Sequence, residues 1–244
     1  MSLNINYDSM VTYQAGGEIE TKQLGISTSF HINKGNFGVV YVNKFDPTKL
    51  VKKSNSDSLI NEFTIGKRID NPNFMKVYRL FEKVYVDQSG NTIISLYKLE
   101  IERIEGKSLE EVLNSEEISL DFYLKLTEAI YNGLIYLNDQ HIAWEDLNSS
   151  NIMRSNNGEV KFIDYGLYIE QPNDAKRIEC LLQNYQSLVW YINDNHDMSY
   201  DADDVNEHIA DLLDKTIKEL ENGAPPQATL RSFLDYIKLY LVCL

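Results

Sequence analysis

The sequence predicts an α+β protein in two lobes: a β-rich N-terminal lobe carrying one helix, then a helical C-terminal lobe. Three observations carry this. Residues 26–104 fall into short apolar and β-branched runs separated by turn signals, with one helical stretch among them. From Gly106 onward, capping signals and helical periodicity take over. One Asn-Gly hairpin interrupts that helical texture. The 244 residues suffice for one sizeable domain or two small lobes sharing a core.

The elements follow in order. Residues 1–25 are weakly patterned and are expected to form an N-terminal extension, disordered in part. "ISTSFHIN", a Gly-containing turn, "GVVYVNKF" and "KLVKK" read as strands, with "DPT" turning the chain between the last two. "SDSLINEFTIGKRID" reads as a helix capped by Ser56 or Asp57, with Leu59, Ile60, Phe63 and Ile69 on its apolar face. "FMKVYRLFEKVYVD" and "TIISLYKLEIERI" flank the turn "QSGN" as an antiparallel hairpin. The first lobe therefore spans 26–104 and the second 105–244.

In the second lobe "GKSLEEVL" holds a capping box, Ser108 with Glu111. A long helix follows, capped by Ser119, with Leu120, Leu124, Ile130, Leu134 and Leu137 among its inward residues. "NIMRSNNGEVKFIDYG" turns at Asn157-Gly158. After Pro172 the pattern gives helices near 174–194, 202–221 and 226–242, the last two separated by "GAPP".

Composition excludes several functions. A formal charge of -14 argues against binding a nucleic-acid backbone, which needs clustered Lys and Arg. Two cysteines, Cys180 and Cys243, make neither a metal motif nor a disulfide framework, which suits a reducing compartment. No apolar run is long enough to span a bilayer, and the first residues lack the features of a Sec signal. A cytoplasmic protein without membrane attachment is expected. "NDNHDMSYDADD" reads as a solvated loop and helix N-terminus, not a metal site around His196. Cys180 reads as a core residue.

Five elements carry chemistry. In "NKGNFGVVYV", Gly35 and Gly38 bracket a hairpin turn where the backbone can approach phosphates. A lysine in "KLVKK" can reach those phosphates, and Glu62 on the following helix can hold it in place. "HIAWEDLNSSNIM" sets Asp146 and Asn151 on one loop, and "KFIDYG" adds Asp164 between a strand and Gly166. Carboxylate and amide oxygens suit Mg²⁺, which also takes phosphate oxygens. A second carboxylate can orient a hydroxyl and accept its proton.

Taken in this order, the elements resemble the protein-kinase-like fold over about residues 26–170. The resemblance implies a bilobal architecture, ATP and Mg²⁺ as cofactors, and transfer of the γ-phosphoryl group to Ser or Thr of a protein substrate. Asn33 stands for the first glycine of the loop, Gly35 and Gly38 for the other two, and Val40 for its valine. Lys52 or Lys53 takes the phosphate-binding lysine. Strand alternation lets only one face the nucleotide, and Lys52 is preferred because Leu50 then shares its face and can floor the adenine. Glu62 takes the helix glutamate. Ile101 stands near the gatekeeper, and Glu102 to Ile104 offer backbone bonds to adenine. Asp146 takes the place of the catalytic aspartate, with Asn151 and Asp164 as the metal ligands. Trp144, Glu145, Asn148 and Tyr165 depart from the usual histidine, arginine, lysine and phenylalanine. The change at Glu145 implies activity without loop phosphorylation.

After Gly166 there is no A-P-E and no long activation segment, so the helical lobe reads as reduced. "DLNSSN" is similar to the catalytic loops of the compact kinases of the OspG and NleH type that bacteria inject into host cells. That resemblance implies a host protein substrate, ubiquitin or a ubiquitin-conjugating enzyme as an activating partner, and delivery without a Sec signal. Two other readings stay open: a small-molecule kinase of the aminoglycoside or choline type, and a kinase fold that serves mainly to bind a partner.

Overall fold

The structure, a computed structural model, describes residues 10–13, 31–35, 38–86, 92–115, 119–195 and 202–243. It divides into two units, one from residues 1–70 and 75–104, the other from 71–74 and 105–244. No described helix is long and apolar enough to cross a membrane.

The first unit holds β1 (Met10–Tyr13), β2 (His31–Gly35), β3 (Gly38–Val42), β4 (Lys49–Ser54), α1 (Ser58–Gly66), β5 (Val77–Val86) and β6 (Thr92–Glu102). The strands form one antiparallel sheet in the order β1-β5-β6-β4-β3-β2. β1 lies within the stretch whose sequence shows no pattern. Its residues pair with Leu80 to Lys83 at the sheet edge, and a run of four is too short to declare a period. The turn at "DPT" forms as expected, with the Asp46 carboxylate accepting from the Thr48 N–H at 3.1 Å and the Asp46 carbonyl accepting from the Lys49 N–H at 3.0 Å. The hairpin turn "QSGN" and the turn residues Asn36 and Phe37 lie outside the described residues.

α1 packs its buried residues Leu59, Glu62, Phe63 and Ile65 against β5 and β6. Asp57 stands at the N-cap position without a side-chain bond, and the Ser56 hydroxyl instead accepts from the Ser58 N–H at 3.2 Å. Ile60 is 39% exposed and Ile69 lies beyond the helix, so neither forms the apolar face read from the pattern. The inward stripe is centred on Leu59 and Phe63, and Glu62 completes it because a lysine awaits it.

The second unit holds β7 (Gly106–Ser108), α2 (Leu109–Ser115), α3 (Leu120–Asp139), β8 (Ile142–Trp144), a 3₁₀ turn (Ser149–Asn151), β9 (Ile152–Ser155), β10 (Val160–Phe162), β11 (Tyr168–Glu170), α4 (Asp174–Asn195), α5 (Ala202–Glu221) and α6 (Pro226–Cys243). β7, β9 and β10 form one small sheet, and β8 pairs with β11 in another. The capping box closes as predicted: Ser108 Oγ accepts from the Glu111 N–H at 3.1 Å, and Glu111 accepts from the Ser108 N–H at 2.8 Å. Ser119 caps α3 through the Phe122 N–H. Ile130, Leu134 and Leu137 are buried, but Leu124 is 38% exposed, on the flank of the line formed by Phe122, Leu126, Ile130 and Leu137. The Leu120 side chain lies outside the described residues, as do residues 196–201 with His196.

The register of β7 on β9 depends on Gly106, which pairs with Ser155. A Cβ at Gly106 would collide with the Arg154 carbonyl oxygen and lie 2.7 Å from Ser155 Cα, and both are backbone atoms. Gly106→Ala is therefore expected to destabilise the protein by about 1–3 kcal/mol, as overpacking does. Thermal denaturation would show this as a fall of several degrees. An unchanged melting temperature would mean that β7 moves aside without cost.

Candidate active site

In the first unit the sheet sets Gly35 opposite Gly38 at the end of the β2–β3 hairpin and pairs Val40 with Lys52. Alternation puts Lys52 and Lys53 on opposite faces. Lys52 Nζ donates to Glu62 Oε2 at 2.9 Å, and the two side chains are 8% and 1% exposed. Lys53 Nζ instead lies 4.5 Å from the centre of the Tyr41 ring, and burial lowers its pKa. The glutamate thus meets the lysine preferred from the sequence. A pair this buried outweighs its desolvation cost only with good geometry and further bonds, and charge partners of this kind gather at functional sites.

Ile101 is buried. The Glu102 N–H donates to the Lys76 carbonyl at 2.8 Å and the Arg103 N–H to the Thr48 carbonyl at 3.0 Å. The Ile104 N–H meets no acceptor among the described residues, so a backbone donor stands open at one of the two positions expected to read adenine.

The second unit builds its loop from β8, the 3₁₀ turn and the start of β9. Both Asp146 carboxylate oxygens are held: Asn148 Nδ2 donates to Oδ1 at 2.6 Å and Asn151 Nδ2 to Oδ2 at 2.8 Å. Asn148 does a second job. Its Oδ1 accepts from the Ser150 and Asn151 N–H groups at 3.0 and 3.2 Å and so caps the 3₁₀ turn. Asn151 also donates to the Asp146 carbonyl at 2.9 Å, which turns its amide oxygen away from Asp146. The Asn151 carbonyl accepts from the Ile163 N–H at 2.9 Å, which ties this loop to the residue before Asp164.

Asp164 has φ of 61°, a left-handed conformation that, glycine apart, a short polar side chain tolerates best. Its Oδ1 accepts from the Gly166 N–H at 3.2 Å. Around these loops lies an aromatic cluster. Tyr168 sits between Trp144 and Tyr165, with ring centres 4.8 and 5.0 Å away, and Trp144 also meets Phe162 edge-on at 5.3 Å. All four rings are essentially buried. Burial, before nearby Tyr165 and the two aspartates, pushes the Tyr168 hydroxyl well above the usual tyrosine range. The Glu145 N–H donates to the Leu167 carbonyl at 3.2 Å, so the strands before Asp146 and after Gly166 are joined directly.

Residues 167–173 alone link Gly166 to α4. Their end is fixed by Arg177, which is 1% exposed. Its guanidinium donates to Asn138 Oδ1 at 2.9 Å, the Gln171 carbonyl at 2.7 Å and Asp174 Oδ1 at 2.8 Å. α4 then passes beneath β8, where the Cys180 thiol lies 3.8 Å from the Trp144 carbonyl. Burial and then Glu145 push that thiol up, so Cys180 is a neutral packing residue.

The expected residues thus fall into two groups. Gly35, Gly38, Val40, Lys52, Glu62, Glu102 and Ile104 belong to the first unit, and Asp146, Asn151 and Asp164 to the second. Sequence reasoning passed over two residues. Asn148 stood out only as a substitution, although an Asn two places before a serine is an ordinary capping signal. Arg177 offered only its spacing from Asp174.

Comparison with known proteins identifies the family. A model of the protein kinase domain matches residues 25–215. The protein named "Probable serine/threonine-protein kinase mkcB" from Dictyostelium discoideum is 30% identical over 57% of this chain and 20% of its own length. MAP kinase kinase kinase wis4 from Schizosaccharomyces pombe is 26% identical over 73% of this chain and 12% of its own. Mitogen-activated protein kinase kinase 2 from Arabidopsis thaliana is 30% identical over 64% of this chain and 44% of its own. The chain therefore spans less than half the length of these relatives. With the family model covering most of its residues, the chain belongs to the protein kinase domain family.

Proposed function

We propose that the chain transfers the γ-phosphoryl group of ATP to a serine or threonine hydroxyl of a protein, with Mg²⁺. The observation that carries this is Asp146, whose carboxylate is clamped through both oxygens by two asparagines on its own loop. An acid fixed in this way is pre-oriented to hold an incoming hydroxyl. The acceptor oxygen bonds to Pγ, the bond from Pγ to the bridging oxygen breaks, ADP leaves, and the hydroxyl proton passes to Asp146. Lys52, steadied by Glu62, binds the α and β phosphates, and Gly35 and Gly38 let the backbone close over them. Asp164 and the outward amide oxygen of Asn151 would hold Mg²⁺, which supplies neutralisation of phosphate charge. Ile104 N–H and the Glu102 carbonyl would take the adenine edge.

The serine/threonine assignment rests on the names of the relatives. The short link from Gly166 to α4 is in keeping with the compact effector type; a host protein as acceptor and a ubiquitin-type partner as activator belong to this proposal through that resemblance alone.

The test is incubation with Mg²⁺ and γ-labelled ATP, alone and with a eukaryotic lysate, beside Asp146→Asn. Label on protein in the wild type alone supports the proposal. Equal labelling by the variant overturns it, and transfer to a metabolite panel but never to protein would make the chain a small-molecule kinase. Asn148→Ala is expected to lower kcat on the order of 10–100-fold, because it frees one Asp146 oxygen and removes the cap of the 3₁₀ turn that carries Asn151. An unaltered kcat would show that Asn151 positions Asp146 alone.

A further inference from the structure

The second unit carries a polar cavity of about 370 Å³ that the phosphoryl-transfer residues do not use. Its walls include Lys107, Lys125 and Arg154, three cations gathered in a chain of formal charge -14. Ser119 and Asn156 add polar groups, and Asp121 contributes one carboxylate.

Two of the cations are set side by side by the backbone. Lys107 on β7 is the direct cross-strand partner of Arg154 on β9. That pairing sets the two cations on the same face of the small sheet. Gly106 holds the register, because only a glycine lets β7 come this close to the Arg154 backbone. Arg154 is further oriented by Phe122, with its guanidinium carbon 5.2 Å from the ring centre. Lys125 stands on α3. Its 2.8 Å bridge to Asp121 is between exposed side chains, and such a bridge exchanges readily for a better anion.

We propose that this cavity docks an acidic segment of a partner protein, through carboxylates or a phosphorylated side chain. The volume greatly exceeds what one phosphate needs and falls in the range of ligand pockets. A long polyanion would meet the repulsion of the whole acidic chain, whereas a short acidic segment meets chiefly Lys107, Lys125 and Arg154, with Asp121 the one carboxylate among the described residues of the cavity wall. The strand that carries Arg154 begins directly after Asn151, so a docked segment sits on the element that leaves the Asp146 loop.

The test is fluorescence anisotropy of the full chain, without ATP, against labelled peptide pools centred on Glu-Asp-Glu, on phosphoserine, or on Gln-Asn-Gln. The wild type should bind the first two and not the third, and more weakly as salt rises. Comparing the first two separates carboxylate from phosphate recognition. Lys107→Gln with Lys125→Gln should weaken binding about tenfold or more, since each loses a charge-assisted bond. Lys107→Arg should keep it. Asp146→Asn should bind like the wild type, so failure here and failure of the phosphoryl-transfer reading are distinguishable. Equal binding of the neutral pool, unchanged binding by the double variant, or saturation by inorganic phosphate or an oligonucleotide with no response to the acidic pools would each overturn the proposal.

Discussion

Asp164→Asn is expected to cut Mg·ATP-dependent phosphoryl transfer by at least about 10²–10³-fold while leaving the fold in place. Asparagine suits the test because it changes charge and little else. It tolerates the left-handed backbone that Asp164 adopts at φ 61°, and its oxygen can still accept from the Gly166 N–H. What it lacks is the negative charge a hard cation prefers. Alanine removes the charge and also places an ordinary Cβ residue in a conformation that costs about 1–2 kcal/mol. Asp164→Ala should therefore melt below Asp164→Asn, although both should be inactive. Assays with γ-labelled ATP across a Mg²⁺ titration, with parallel thermal melts, measure both effects. If Asp164→Asn kept more than a tenth of wild-type transfer, Asp164 would not be the metal ligand. If the two variants melted together, the left-handed backbone would carry no strain.

The sequence made the architecture legible wherever local chemistry repeats. The capping box at Ser108 and Glu111, the Ser119 cap and the Asn157-Gly158 turn, with Gly158 at φ 82°, are each decided within four residues. The β5–β6 hairpin was legible for the same reason. What stayed hidden depends on contacts distant in sequence. β1 takes its place from β5, and nothing in "MVTY" says so. Periodicity placed Ile60 and Leu124 inward because it counts apolar residues without knowing how wide the covered stripe is. In the candidate site, motif spacing identified Asp146, Asn151 and Asp164 by type, but not the second asparagine that completes the clamp on Asp146. Arg177 was hidden for another reason. A buried arginine is legible only through its acceptors, and these lie on Asn138, Gln171 and Asp174, two of them outside its own helix.

Lys52→Met is expected to reduce both stability and activity, and the two losses separate in a double variant. With the lysine gone, the Glu62 carboxylate remains 1% exposed without its cation. Removing one member of a buried ion pair costs about 3–5 kcal/mol, because the survivor cannot regain its water. For a chain of this size that lowers the melting temperature on the order of 10 °C. Replacing Glu62 with leucine in the same chain removes the stranded charge, so the double variant should recover much of the lost stability. On the proposed function it should recover none of the transfer, since Lys52 is the residue proposed to hold the phosphates. Lys53→Met is the control: it removes a cation resting on Tyr41 at the other face, worth about 0.5–1 kcal/mol, and should leave transfer nearly intact. Thermal melts and γ-labelled ATP assays on the four variants, Glu62→Leu included, complete the cycle. A double variant as unstable as Lys52→Met would show that the pocket needs the charge pair itself. Loss of transfer in Lys53→Met, with Lys52→Met still active, would move the phosphate contact to the opposite face of β4. In that case Glu62 would be holding a structural lysine.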